Sequence, residues 1–282
     1  GESGYVVTEA GFGADIGLEK FCNIKCRSSG LFPSCAVIVA TIRALKMHGG
    51  GPTVSAGTPI PEIYKTCDVE LVKSGFVNLQ RHIENTLAFG IPVVVAINAF
   101  SSDDEKELKT VQEMCKSVGA FDAVICTHFN QGGKGAVDLG KAVHKACLEY
   151  KKDDGKYGFR LSYSDEMSLV EKMRCVAEKV YRADGIELSE EARKSVERFE
   201  HLGFGTLPVC MAKTQYSFSS DASKKGAPVG FTLPIRDVRL SAGAGFVYPL
   251  VGEMPTIPGL PTRPAYYDID VDLESGLVVG LS

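Results

Sequence analysis

Four short segments of this chain combine carboxylates, glycines, cations and aromatic rings in patterns suited to charged or flat ligands. The first is Thr8-Glu9-Ala10-Gly11-Phe12-Gly13-Ala14-Asp15. Gly11 and Gly13 carry no side chain to hold a ligand away from backbone N–H groups, and in nucleotide-binding α/β proteins an acid such as Glu9 reaches metal-bound phosphate. A tight turn with a solvated Glu9 is an equal alternative. The second segment runs from Arg43 through Lys46 and His48 into Gly49-Gly50-Gly51-Pro52. Three glycine amides beside a histidine and two cations have the makings of an anion cradle, although His48 reads equally well as a core histidine. The third is Asn98-Ala99-Phe100-Ser101, and the fourth is His128-Phe129-Asn130-Gln131-Gly132-Gly133-Lys134-Gly135. Phe100 and Phe129, leaving neighbouring strand ends, could sandwich a flat heterocycle, since offset stacking is favoured at ring separations of about 4.5 to 7 Å, although a lone Phe is usually a core residue.

Two phosphate-binding signatures are missing. The pattern GxxxxGK[ST] occurs nowhere in the chain, and the glycines of Gly132-Gly133-Lys134-Gly135-Ala136 have the wrong spacing for it. No GxGxxG with a downstream acid follows a strand-like run either, which sets aside a dehydrogenase-like dinucleotide site.

The elements that must position these segments are legible as apolar patterns. Tyr5 to Thr8, Ala36 to Thr41, Pro92 to Ile97 and Ala123 to Cys126 are short, apolar and rich in β-branched residues, as strands buried on both faces are. Helical periodicity over Val69 to Phe89 and Glu105 to Val118 lies between them. Alternation of this kind predicts an α/β fold with a parallel sheet, right-handed crossovers and helices on both faces. Ligands of such sheets bind at the carboxyl ends of the strands, where each of the four segments begins.

After the charged stretch Glu149 to Gly155 the alternation stops, which places a boundary near residue 155 and divides the chain into 1–155 and 156–282. The second part reads as a smaller α+β region. Leu169, Met173, Val176, Ala177 and Val180 form one apolar helical face, Ser189 caps a helix that stops near Gly203, and Gly245 to Val251 and Tyr267 to Val271 are strand-like.

Bulk properties exclude several classes. The 282 residues include 31 Lys plus Arg against 35 Asp plus Glu, and a formal charge of -4 offers no basic field for a nucleic-acid backbone or an anionic membrane. The longest apolar run, Ile91 to Ile97, falls far short of the roughly 20 residues of a membrane helix. Nine cysteines scattered through apolar stretches argue for free thiols. Cys22 and Cys26 are not followed by a second Cys or His pair at finger-like spacing, so a structural zinc is disfavoured and no metal ligand is assigned.

The segments VTEAGFGADIGLEKF, VATIRALKMHGG, VVVAINAF, FDAVICTHFNQGGKGA, PVCMAKTQYSFS and VGEMPTIPGLPTRP, in that order, closely resemble the formate-tetrahydrofolate ligases, most of all the eukaryotic forms. The resemblance implies ligation of formate to tetrahydrofolate with ATP and Mg2+, through formyl phosphate, on a P-loop NTPase-like sheet whose phosphate-binding loop lies upstream. It implies homo-oligomers, possible activation by a monovalent cation, and a cytoplasmic or a mitochondrial location. Carried over by position, Phe100 and Phe129 match the places that hold the folate ring. Phe129 stands where Trp is usual, and Ser101 departs from the residue usual after Phe100. Gly49 resembles a backbone contact to formyl phosphate or folate, and Glu9 and Asp15 resemble acids near phosphate and metal. These, with His48, form the expected catalytic set; Gly11, Gly13, Gly50 and Asn98 join Gly49 on the phosphate side. The rival expectation is a non-catalytic structural or binding subunit descended from the same family.

Overall fold

The computed structural model describes residues 4–54, 58–152, 155–252, 262–264, 267–275 and 278–280. The chain forms two compact units, 1–252 and 253–282.

The first unit opens with an extended segment, then a helical stretch from Ala14 through Cys26, wound largely as π-helix, that ends in α1 (Arg27–Ser29). Three parallel strands follow in the order β1 (Ala36–Ala40), β2 (Val93–Asn98) and β3 (Asp122–Cys126), with Ile38 opposite Val95 and Asn98 opposite Cys126. Between them lie α2 (Ile42–His48), α3 (Val69–Ala88) and α4 (Glu105–Ser117), and after β3 come α5 (His128–Gln131) and α6 (Val137–Tyr150). Each long crossover starts where the sequence supplies a cap. The Thr41 hydroxyl accepts from Ala44 N–H at 3.1 Å, Asp68 from Leu71 N–H at 2.9 Å and Asp104 from Lys106 N–H at 2.8 Å, satisfying helix amides that have no intrahelical partner.

Alternate residues of β2 serve opposite faces. Val93, Val95 and Ile97 pack with Ile42, Leu45, Phe76 and Val111 of α2, α3 and α4, whereas Val94 packs with Ala142 and Ala146 of α6. These strand residues are fully buried, and each contributes about 1.5–3 kcal/mol relative to exposure. Helices on both faces explain why β2 reads as a continuous apolar run.

The segment Tyr5 to Thr8 departs from expectation. It joins no ladder among the described residues, and Val6 and Val7 are 97% and 91% exposed. No described strand offers it hydrogen bonds, and Tyr5 instead sets its ring edge on His144 of α6, with Oη 2.5 Å from Nδ1.

Further on, α7 (Leu169–Val176) begins at a capping box of Ser168 and Glu171. The strand β4 (Gly185–Leu188), the helix α8 (Glu190–His201), β5 (Thr232–Ser241) and β6 (Phe246–Val251) complete the unit. The second sheet has the order β4-β5-β6, parallel and then antiparallel. Its core, with Met173, Phe199, Phe218, Leu233 and Ile235, is drawn from residues 163 to 251, while the first sheet's core comes from 40 to 123.

The second unit, taken by itself, holds a short antiparallel pair, β7 (Asp270–Val271) and β8 (Val278–Val279), and an Arg263–Asp268 ion pair. Most of the segment VGEMPTIPGLPTRP lies outside the described residues. Among described residues no helix is long and apolar enough to cross a membrane.

Candidate functional site

The carboxyl ends of β1, β2 and β3 deliver α2, the loop after Asn98 and the short helix α5 to one edge of the sheet. At that edge the Arg43 guanidinium lies 4.0 Å over the Phe100 ring, and its Nη2 donates to Ser102 Oγ at 3.1 Å. The loop is closed by Asp103, whose Oδ2 accepts from Phe100 N–H at 2.9 Å. Burial pushes the Asp103 carboxyl up, against the Phe100 hydrogen bond and the Arg43 charge, which pull it down.

Several polar atoms at this edge are shut off from solvent without a hydrogen-bond partner: Arg43 Nε, Asn98 Oδ1, Asp103 Oδ1 and His128 Nδ1. Such atoms are uncommon because each forfeits its bonds to water; among the described residues Glu19 Oε2, Arg81 Nε, His82 Nδ1, Asn85 Oδ1 and Tyr181 Oη are further cases, away from this edge. Ser101 and Phe129 are exposed, Phe129 at 83%. Gly135 folds its loop back so that Thr127 N–H donates to Gly135 O at 3.1 Å, which turns α5 outward at this edge. No ring contact joins Phe100 and Phe129 among the described residues.

One turn along α2 from Arg43, Lys46 forms an ion pair with Glu107 of α4 at 2.7 Å, both side chains 1% exposed. Lys46 also donates to Thr66 O at 2.6 Å, and Glu107 accepts from Asp68 N–H at 2.7 Å. This pair ties together the elements that carry Arg43, Asp103 and the start of α3.

The glycine turn after His48 is a helix C-terminus. Gly49 N–H donates to Leu45 O at 2.8 Å, Gly50 N–H to Met47 O at 3.4 Å and Gly51 N–H to Lys46 O at 2.9 Å, so the amides expected to cradle an anion are engaged with helix carbonyls. Glycine is needed here for close approach. A Cβ on Gly49 would stand 2.2 Å from Leu71 O, and one on Gly75 would stand 1.8 Å from Leu45 O, so α2 and α3 cross backbone to backbone. Gly49 is six residues beyond Arg43, about 9 Å along the helix, and sits away from the sheet edge.

Gly13, Asp15 and His48 meet instead in a second, small cleft, with Asn78 and His82 of α3 and Gln215 to Phe218. Asp15 is buried beside Lys213 Nζ at 3.6 Å and His82 Nδ1 at 3.9 Å. Lys213 donates to the carbonyls of Thr214 and Ser217 and lies 4.9 Å over the Tyr181 ring. Burial lowers its ammonium to about 8, against the raising effect of Asp15. Burial also lowers His82, and it lowers His48 to about 4 with help from His82 and Lys225; His48 Nδ1 accepts from Gly226 N–H at 3.0 Å. Neutral imidazoles and a paired carboxylate make this cleft a joint between the Gly11–Gly13 turn, α3 and the 213–219 loop. Glu9 and Gly11 lie exposed before it.

Arg43, Asp103, His82 and Lys213 were not singled out as site residues by sequence reasoning. Arg43 stood beside the glycine turn as a cation, and Asp103 carried a local signal as an acid three residues after Phe100. His82 and Lys213 meet Asp15 across 67 and 198 residues, and no local pattern announces that.

A parallel sheet whose carboxyl edge gathers an aromatic ring, a guanidinium and unpartnered polar atoms defines an α/β protein with a candidate ligand site at that edge. Residues 2–282 match the family described as formate-tetrahydrofolate ligase, and the chain belongs to that family. It is 60% identical over its whole length to the formate-tetrahydrofolate ligase of Spinacia oleracea, of which it covers 43%. It is 56% identical over 281 residues to the cytoplasmic C-1-tetrahydrofolate synthase of Homo sapiens, covering 29% of that protein. It is 55% identical to the mitochondrial monofunctional C1-tetrahydrofolate synthase of Mus musculus, covering 28%. The chain thus spans less than half the length of these relatives.

Proposed function

We propose that the full-length protein carrying this chain joins formate to tetrahydrofolate with ATP. A formate oxygen attacks the γ-phosphorus, the bond to the ADP oxygen breaks, and formyl phosphate forms. N10 of tetrahydrofolate then attacks the formyl carbon, the bond from that carbon to the phosphate oxygen breaks, and N10 gives up its proton to solvent, leaving 10-formyltetrahydrofolate and phosphate. Catalysis of this type rests on positioning and charge stabilisation. Magnesium comes with the nucleotide as its substrate complex and offsets phosphate charge. Among the described residues no cluster of three His, Cys, Asp or Glu side chains stands ready to hold a metal.

In this reading residues 1–155 are the latter part of a P-loop NTPase-like nucleotide- and folate-binding half, and 156–282 are a smaller α+β region. Phe100, Ser101 and Phe129 form the folate wall. Glu9, Gly11, Gly13 and Asn98 line the phosphate side, while the 48–50 turn, its amides engaged with helix carbonyls, and Asp15 and His48 hold the neighbouring backbone in shape without contacting phosphate. The protein acts as a homo-oligomer on small-molecule substrates. The family match along 2–282 is the observation that carries the reading, and the gathering of Phe100 and Phe129 at the ligand edge of the sheet supports it. Formate-dependent ADP release by the full-length protein with tetrahydrofolate tests it. Turnover that Phe100→Ala lowers is expected; its absence in the unmodified protein ends the claim and leaves a binding subunit.

A further inference from the structure

Arg43 and Asp103 face the same loop yet do not pair. The Arg43 charge acts on Asp103, but the guanidinium stacks on Phe100 at 4.0 Å and bonds Ser102. Asp103 uses one oxygen, Oδ2, to hold Phe100 N–H, while Oδ1 is buried with no partner. Leaving a buried carboxylate oxygen unmet is costly, and no described residue meets Oδ1. With Arg43 on one face of the Phe100 ring, the other face is where a flat ligand would stack, and the Asp103 carboxylate, anchored to the backbone of the stacking residue itself, is the charged group nearest in sequence to meet its edge.

A carboxylate accepts from two parallel N–H donors in a fork, as it does from a guanidinium. Oδ1 is free, and Oδ2 keeps a second lone pair beside its bond to Phe100. We propose that Asp103 is a specificity-determining residue that reads the guanidine-like edge of a 2-aminopyrimidin-4-one ring, its ring N–H and exocyclic amine, while Arg43 is a positioning residue that fixes the Phe100 ring from behind. The inference rests on the folate reading above and assigns which edge of the ring system is recognised and by which group.

The two roles separate experimentally. Tetrahydrofolate and its 2-desamino-2-methyl analogue are titrated calorimetrically into the full-length protein, which reports binding whether or not the protein turns over. The unmodified protein is expected to bind tetrahydrofolate about tenfold or more tightly than the analogue, since a site that loses a hydrogen-bonding partner is left with an unmet buried charge. Asp103→Asn keeps an acceptor for Phe100 N–H, so a purely structural Asp103 predicts no change. The proposal predicts instead that tetrahydrofolate binding weakens about tenfold or more while analogue binding holds, which erases the preference. Arg43→Lys is expected to weaken both ligands alike and to leave the preference intact. An unmodified protein that binds both ligands equally overturns the proposal without any variant, as does an Asp103→Asn protein that retains the preference. Binding with the expected preference but no formate-dependent ADP release removes the proposed activity and leaves Asp103 in its assigned role.

Discussion

Arg43 and Lys46 lie one helical turn apart on α2, and each faces a carboxylate of the segment that follows β2. Lys46 and Glu107 are closed on themselves, paired at 2.7 Å and bonded to Thr66 O and Asp68 N–H. Arg43 and Asp103 are left open, each with a buried polar atom that no described residue meets. Residues of the same types, side by side, therefore serve two purposes. Where every donor and acceptor is matched, the pair holds helices in register; where some are not, the protein keeps recognition capacity for something outside itself. The cleft around Asp15 lies between the two kinds, since Lys213 and His82 flank its carboxylate while His82 Nδ1, 3.9 Å away, is buried without a hydrogen-bond partner among the described residues.

The sharpest way to break this contrast is at the closed pair. Glu107→Ala leaves Lys46 buried and uncompensated and is expected to cost about 3–5 kcal/mol of stability, read as a fall in denaturation midpoint, whereas Lys46→Met with Glu107→Leu costs less than either change alone. A Glu107→Ala protein as stable as the original would show that the pair does not organise the edge. Next comes the helix crossing. Gly75→Ala forces a methyl to within 1.8 Å of Leu45 O, and the backbone shift is expected to cost about 3 kcal/mol and to weaken folate binding through displacement of Arg43. An unchanged chemical-denaturation curve would refute the rigid crossing.

Acid provides the third test. Burial holds His48 at about 4 in the folded chain against its ordinary 6.5. Between those values the unfolded chain binds a proton that the folded chain does not, so stability falls as pH drops from 6.5 towards 4. The loss is about 2–3 kcal/mol at the low end after allowance for partial exposure, and His48→Gln should flatten that part of the pH–stability profile. The smallest effect belongs to Phe129. Because the ring is 83% exposed, Phe129→Ala should change stability by less than about 0.5 kcal/mol while weakening folate binding. Phe129→Trp, with a larger stacking face, should tighten folate by about 1 kcal/mol, measured as Kd. A Trp variant with unchanged Kd would remove Phe129 from the folate wall.

The parallel sheet was legible because β2 is apolar at every position that two helical layers bury, and α3 and α4 showed their periods. The long strand β5 escaped notice although Leu233 and Ile235 alternate with exposed Thr232, Pro234 and Arg236; the glycine- and proline-rich surroundings masked a period of two. Tyr5 to Thr8 erred the other way, because a strand-like composition does not supply a neighbour to pair with.

By itself, the sequence determined the α/β class, the starts of α3, α4 and α8, the family and the two phenylalanines at the strand ends, since all of these depend on local pattern or on contiguous motifs. The tertiary structure alone decided that Gly49 is a crossing point with its amide engaged, that Asp15 is flanked by Lys213 and His82, and that Asp103 keeps an oxygen free beneath Phe100. Those outcomes depend on which distant groups are brought within hydrogen-bond reach and which are left out, and chain packing settles that.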